Sequence, residues 1–155
     1  TLSGSTWAWS QGHRRGTPPA LDLDRHRATC DVIRGLVNDH LVVGVHDAGG
    51  GGIGVALAEM AVDSRIGIEV QPPDDADHRW VFAESPSCFV LCVDPASSAE
   101  VERRSQEAGV SVATIGTVGG DRISIGKLVD LSLADTVDRW QGRLPEALGQ
   151  GTTQG

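Results

Sequence analysis

Leu41-Val42-Val43-Gly44-Val45-His46-Asp47-Ala48-Gly49-Gly50-Gly51-Gly52-Ile53-Gly54-Val55-Ala56-Leu57-Ala58-Glu59-Met60-Ala61 is the stretch that decides the fold. Its first five residues form a short Val-rich run that reads as a strand ending at His46-Asp47. Four consecutive glycines follow. Ile53, Ala56, Leu57, Met60 and Ala61 then recur at i, i+3, i+4, i+7 and i+8, the stripe of an amphipathic helix. A glycine loop therefore joins a strand to the N-terminus of a helix.

Upstream, the doublets Val32/Ile33 and Leu36/Val37 stand one turn apart and predict a helix from about Asp24 to Asp39, with Asp22 or Asp24 as its N-cap. Downstream, Ile66 to Val70 and Cys88 to Val93 read as strands, separated by a Pro/Asp surface loop over Gln71 to Asp77. Ser97 with Glu100 has the spacing of a capping box for a helix running to about Ala108, where Gly109 stops it. Val110 to Val118 and Arg122 to Ile125 read as a strand pair joined by a hairpin turn at Gly119-Gly120-Asp121. Ser132 caps a last helix in which Leu133, Val137, Trp140 and Leu144 share a face and Pro145 bends or ends it. The order of elements is α/β (α+β): a mixed β-sheet flanked by helices.

The chain has 155 residues, enough for one domain with a hydrophobic core. Residues 1–148 are expected to form that domain, and the Gly/Thr/Gln run 149–155 a disordered tail. The absence of an initial methionine together with this tail suggests a piece of a larger protein. Thirteen Lys and Arg against 21 Asp and Glu leave a net charge of −8, which gives a phosphate backbone no electrostatic support, so no nucleic-acid partner is expected. No apolar run reaches membrane-spanning length and the first residues lack a signal-peptide pattern, so no membrane is expected either. Cytoplasmic location follows as the expectation. Cys30, Cys88 and Cys92 are odd in number and form no CxxC pair, and are expected to be buried free thiols.

Four glycines before a helix let a backbone approach a ligand and leave N–H groups where phosphate is favoured. Gly49, Gly50, Gly51 and Gly52 are thus candidate phosphate or nucleotide donors. Neither a Gly-Lys-Ser/Thr ending nor GxGxxG with a distant acid is present, and a tight turn with no ligand stays equally open. Asp47, at the strand end, could hold Mg²⁺. His46 reads as a loop hydrogen-bonder or an ordinary strand-end histidine. A zinc site from Cys88, Cys92 and His78 is weighed against core thiols, which the composition favours. No nucleophile motif is visible, and Glu84-Ser85-Pro86-Ser87 has no base beside it in the sequence.

These residues carry a resemblance. His46 to Met60, HDAGGGGIGVALAEM, resembles HDxSDGGLxVALAEM near the end of the phosphoribosylformylglycinamidine synthase family. Leu2 to Ser5 is similar to that family's LGGS, Pro18 to Leu23 to its PPxLDL, and Phe82 to Ser87 to its FxESxxR. Ile115 to Ile125 resembles IGxVxGDRLxI, and Leu131 to Pro145 resembles LPLxxLxxxWxxxLP. The resemblance implies a fold like the C-terminal domain of AIR synthase, as the last domain of the synthase.

That enzyme converts formylglycinamide ribonucleotide to formylglycinamidine ribonucleotide in purine biosynthesis, using ATP and Mg²⁺, with ammonia from a glutaminase. The implied partners are the other domains of the synthase, a glutaminase subunit and a small accessory subunit. The implied catalytic residues lie outside this chain, so none is assigned here and the isolated chain is expected to be inactive. Mg²⁺ and ATP belong to the full enzyme, and the chain by itself need hold neither. Through the motif, Asp47 corresponds to a magnesium ligand of an auxiliary nucleotide site. Gly49 stands where the family has Ser, Gly50 where it has Asp, and Cys88 where it has Arg. These departures predict a weak or phosphate-only site. The alternatives are another AIR-synthase-superfamily enzyme, of the selenophosphate synthetase or hydrogenase-maturation type, and a non-catalytic nucleotide-sensing or interaction module.

Overall fold

The computed structural model describes residues 2–149. Ser5 begins the first helix, α1 (Thr6–Ser10), by accepting a hydrogen bond from the Ala8 amide. Asp22 caps the long helix α2 (Leu23–Asn38) by accepting from the Arg25 amide at 2.9 Å, as its side chain and position predict. β1 (Gly44–Asp47) then leads through the glycines into α3 (Gly52–Ser64). Next come β2 (Ile68–Val70), the short helix α4 (His78–Phe82), β3 (Phe89–Cys92) and α5 (Ser98–Glu107). β4 (Gly116–Val118), β5 (Arg122–Ile125), β6 (Val129–Ser132) and α6 (Leu133–Ala147) complete the order.

The strands form two sheets. β1 pairs antiparallel with β3, placing Asp47 opposite Phe89 and Gly44 opposite Cys92. The other sheet is mixed, in the order β4-β2-β5-β6, with only the β2/β5 pair parallel. The core gathers Ala56, Leu57, Ala61 and Val62 of α3 with Ile68, Val70, Val81, Val90, Ile123, Ile125, Leu133 and Val137. One helix thus supplies apolar contacts toward both sheets, α4 and α6, and α3 is accordingly buried or half-buried on all sides from Gly52 to Val62, not only along the expected stripe. Its position fixes the orientation of the glycine loop at its N-terminus.

Several expectations change. The strand expected from Leu41 starts at Gly44, and Val43 is 75% exposed. β4 and β5 are not a hairpin: β2 lies between them, and Gly67 exchanges hydrogen bonds with Gly119 and Gly120. The turn glycines therefore serve a crossing over the start of β2. The local hairpin is the unanticipated one, β5 with β6. The capping box is also absent, because Ser97 makes no side-chain cap bond and Asp94 instead starts a 3-10 turn that runs into α5. Glu100 faces Arg103 and Arg104, whose hydrogen bonds hold its carboxyl down to about 2. Arg104 also reaches Asp39, tying α5 to the end of α2.

Pro145 sits inside α6, which continues to Ala147. The shared face of α6 is core only in its first half: Val137 is 3% exposed, but Trp140 is 58% and Leu144 68%. The three cysteines are free and only half-buried, and Cys88 precedes its strand. Gly149 closes a turn against Glu146, while 150–155, most of the expected tail, lies outside the described residues. Among the described residues no helix is long and apolar enough to cross a membrane.

Candidate functional site

β1 ends at Asp47, and the buried Ala48 continues the ladder by donating to the Cys88 carbonyl at 2.9 Å. The chain then turns so that Gly52 donates to the Gly49 carbonyl at 3.0 Å and α3 begins. Gly51, the N-cap, has φ +90°, and Gly52 has φ +70°. Side chains rarely adopt that region. At Gly52 a Cβ would also stand 2.8 Å from Val81 O, Phe82 C and Ala83 O. A Cβ at Gly54 would lie 2.3 Å from Val81 Cγ1. The close approach these glycines permit is to α4. Gly49 and Gly50 are outside the left-handed region and less crowded: their nearest neighbours would be Asp47 Oδ2 at 2.8 Å and Thr6 Oγ1 at 3.6 Å.

A carboxylate already sits on the loop. Glu84 Oε1 accepts from the Gly51 amide at 2.8 Å and from the Thr6 amide at 2.7 Å, joining the glycine loop to the first residue of α1. Sequence reasoning missed this residue's part, because its partners are 33 and 78 positions away. Burial pushes the Glu84 carboxyl up, but the hydrogen bonds from Gly51 and Thr6 outweigh it and hold the group below the usual carboxylate range. The sign of the linkage follows. A carboxyl that titrates lower in the folded state contributes stability above its ordinary value of 4.5, and loses it as pH falls through the folded value. Glu84→Gln is therefore expected to lower stability at neutral pH, with the difference from wild type closing in acid. Urea denaturation across the acidic range would show the two curves converging; parallel curves would contradict it.

Asp47 points its carboxylate largely into solvent, 72% exposed. His46 braces β1 to α3: its Nδ1 lies 2.8 Å from the Asp47 carbonyl and its Nε2 3.1 Å from Glu59 Oε2. Of the sequence-selected residues, Asp47 and the glycines are adjacent, as chain order requires. Among the described residues no three His, Cys, Asp or Glu side chains are grouped to hold a metal ion. Cys88, Cys92 and His78 accordingly form no zinc site, and the His78 ring instead lies tilted against Trp7, with centroids 4.8 Å apart. Burial raises the Cys88 thiol above its ordinary value, against the opposing charge of Arg25.

With this geometry in place, the likeness to known proteins is extensive. The family profile described as AIR synthase related protein, C-terminal domain, matches residues 1–128. The chain is 35% identical over 149 residues to phosphoribosylformylglycinamidine synthase subunit PurL of Nocardioides sp., covering 96% of this chain and 19% of the relative. It is 35% identical over 136 residues to the subunit of the same name from Azorhizobium caulinodans, covering 86% and 18%. The chain thus spans about a fifth of the length of these relatives. Among solved structures it is similar to phosphoribosylformylglycinamidine synthase II of Thermotoga maritima, with TM-score 0.67 and 15% identity over 77% of this chain and 22% of that one. It is also similar to a chain of the PurLQS structure from the same organism, with TM-score 0.64 and 16% identity over 84% and 24%. At that identity the structural likeness speaks for the fold alone.

Proposed function

Since the chain belongs to the AIR synthase related protein family, as its C-terminal domain, we propose that residues 1–148 serve as the C-terminal domain of a phosphoribosylformylglycinamidine synthase. The observation that carries this reading is the 35% identity to a synthase subunit along 96% of the chain. The ordered motifs support it over the selenophosphate synthetase and hydrogenase-maturation types. In the assembled enzyme, ATP phosphorylates the glycinamide carbonyl oxygen of formylglycinamide ribonucleotide, releasing ADP, and ammonia then displaces that oxygen as inorganic phosphate to leave the amidine. The partners are the remaining synthase domains, a glutaminase subunit that supplies ammonia, and a small accessory subunit of the complex, in the cytoplasm. A solved Thermotoga maritima PurL structure is described as complexed with ATP, which supports nucleotide use by this kind of enzyme.

Within this chain the proposed contribution is limited. Gly49 to Gly52 offer backbone N–H groups to a phosphate, and Asp47 offers one carboxylate to a magnesium ion. Mg²⁺ does not fit this chain's residues unaided: it needs near-octahedral oxygen ligation, and Asp47 is a single exposed carboxylate with no grouped partners among the described residues. Any such ion would need oxygens from elsewhere in the enzyme or from the nucleotide.

Grafting tests the assignment. This chain, supplied alone with formylglycinamide ribonucleotide, ATP and ammonia, is expected to give no turnover above background. In place of the corresponding domain of the Nocardioides subunit, it is expected to restore activity. Turnover by the chain alone would overturn the placement of the catalytic groups elsewhere. A folded but inactive chimera would overturn the synthase assignment.

A further inference from the structure

His26 and Cys30 stand one turn apart on α2, so their side chains share a face of that helix. The Cys30 Sγ lies 3.6 Å from His26 Nε2, and the other ring nitrogen, Nδ1, is 2.9 Å from Ser87 Oγ. The second contact spans 61 positions and ties α2 to the turn before β3. A thiol, an imidazole and a hydroxyl therefore stand in series, away from the glycine loop and unused by the proposed function.

Ser87 takes its place on a strained backbone, with φ +61° in the left-handed region. The other non-glycine residues with positive φ among the described residues, His40 and Arg65, follow the ends of α2 and α3, where a left-handed residue is common. Ser87 ends no helix. An imidazole whose Nδ1–H donates to a hydroxyl keeps the lone pair of its Nε2, and here Nε2 faces sulfur. His26, Cys30 and Ser87 are each half-buried, so a small molecule can reach the sulfur while the ring stays packed. The other two thiols are equally half-buried but differently placed: Cys92 lies in β3 opposite Gly44, and burial raises the thiol of Cys88. Neither has an imidazole nitrogen against it among the described residues.

We infer that Cys30 is a reactive thiol toward small-molecule disulfides, with His26 Nε2 as the acceptor of its proton and Ser87 as the positioning residue for the ring. The thiolate, not the thiol, is the nucleophile, and a histidine within reach of the sulfur supplies it. The Cys30 Sγ bonds to one sulfur of R–S–S–R as the S–S bond breaks. The departing thiolate takes the proton from His26 and leaves as R–SH, so the product is a mixed disulfide on Cys30. The disulfide is itself the oxidant, and His26 ends as it began.

The probe is dithiodipyridine, a small uncharged disulfide, added to the full folded chain at neutral pH while mass spectrometry follows the adduct on each cysteine. Cys30 is expected to react about tenfold or more faster than Cys92. His26→Gln is expected to slow Cys30 by about tenfold, to the rate of Cys92. Ser87→Gly deletes the hydroxyl at a φ that glycine adopts freely, and is expected to slow Cys30 by about threefold. Both changes trim the side chains around the sulfur, so a merely structural role for His26 or Ser87 would speed the reaction instead. Should His26→Gln not fold by circular dichroism, Ser87→Gly carries the test. A Cys30 that reacts no faster than Cys92, or that keeps or raises its rate in either folded variant, would overturn the inference. Neither result depends on the synthase assignment.

Discussion

Gly52→Ala is expected to destabilise the chain by about 3 kcal/mol or more, the sum of two independent effects at one position. The left-handed backbone at φ +70° costs an ordinary residue about 1–2 kcal/mol. Overpacking against fixed neighbours adds about 1–3 kcal/mol. The neighbours are fixed because all three atoms at 2.8 Å belong to the backbone between Val81 and Ala83, not to side chains that could swing away. α4 cannot retreat easily, since Val81 is in the core and Asp77 caps the helix through the Arg79 amide at 2.8 Å. For a chain of this size about 3 kcal/mol corresponds to a melting temperature lower by about 6–12 °C. Gly50→Ala is the control, with no left-handed φ and its nearest contact at 3.6 Å. Calorimetry should separate the two variants clearly. A Gly52→Ala change within about 0.5 kcal/mol of the control, the scatter of ordinary surface substitutions, would mean that α3 and α4 do not approach as described.

That contrast also explains what the sequence could convey. The glycine run was legible as a strand-to-helix loop, because strand and helix periodicities flank it. The purpose of each glycine was not, since Gly52 and Gly54 answer to Val81 and its neighbours, which only the tertiary fold brings near. α2 and α3 were legible because both are long enough to show a stripe, and Asp22 caps through its own local geometry. α1 and α4, at five residues each, show no period. The hairpin expected at Gly119-Gly120-Asp121 carried the right turn residues, yet turn chemistry specifies only that the chain reverses. Whether β5 pairs with β4 or with β2 is settled by burial of Ile68, Val70, Ile123 and Ile125 under α3, a choice made over long sequence separations. Glu84 is the least legible residue of the site: its motif is visible in the sequence, but an acceptor for two distant amides has no local signature.

The same mixed sheet gives the second large effect: Ile123→Ala is expected to cost about 4 kcal/mol, in the upper part of the usual range for such a deletion. Ile123 is 1% exposed and lies in the cluster that joins α3, β2 and α6. Its strand is paired on both sides, with Ile123 opposite Ile68 in β2 and Leu131 in β6. Ladders on both edges keep β5 from sinking into the space left by the missing carbons, so the cavity should persist instead of collapsing. Ile123→Val, which removes one methyl group, is expected to cost only about 1 kcal/mol. Urea denaturation should show both as shifts of the midpoint at an unchanged slope, since the surface exposed on unfolding hardly changes. If the alanine variant costs no more than the valine one, the neighbours have closed the cavity. β5 would then be a yielding strand, and the pairing of β2 with β5 would not be what fixes the orientation of α3 and its glycine loop.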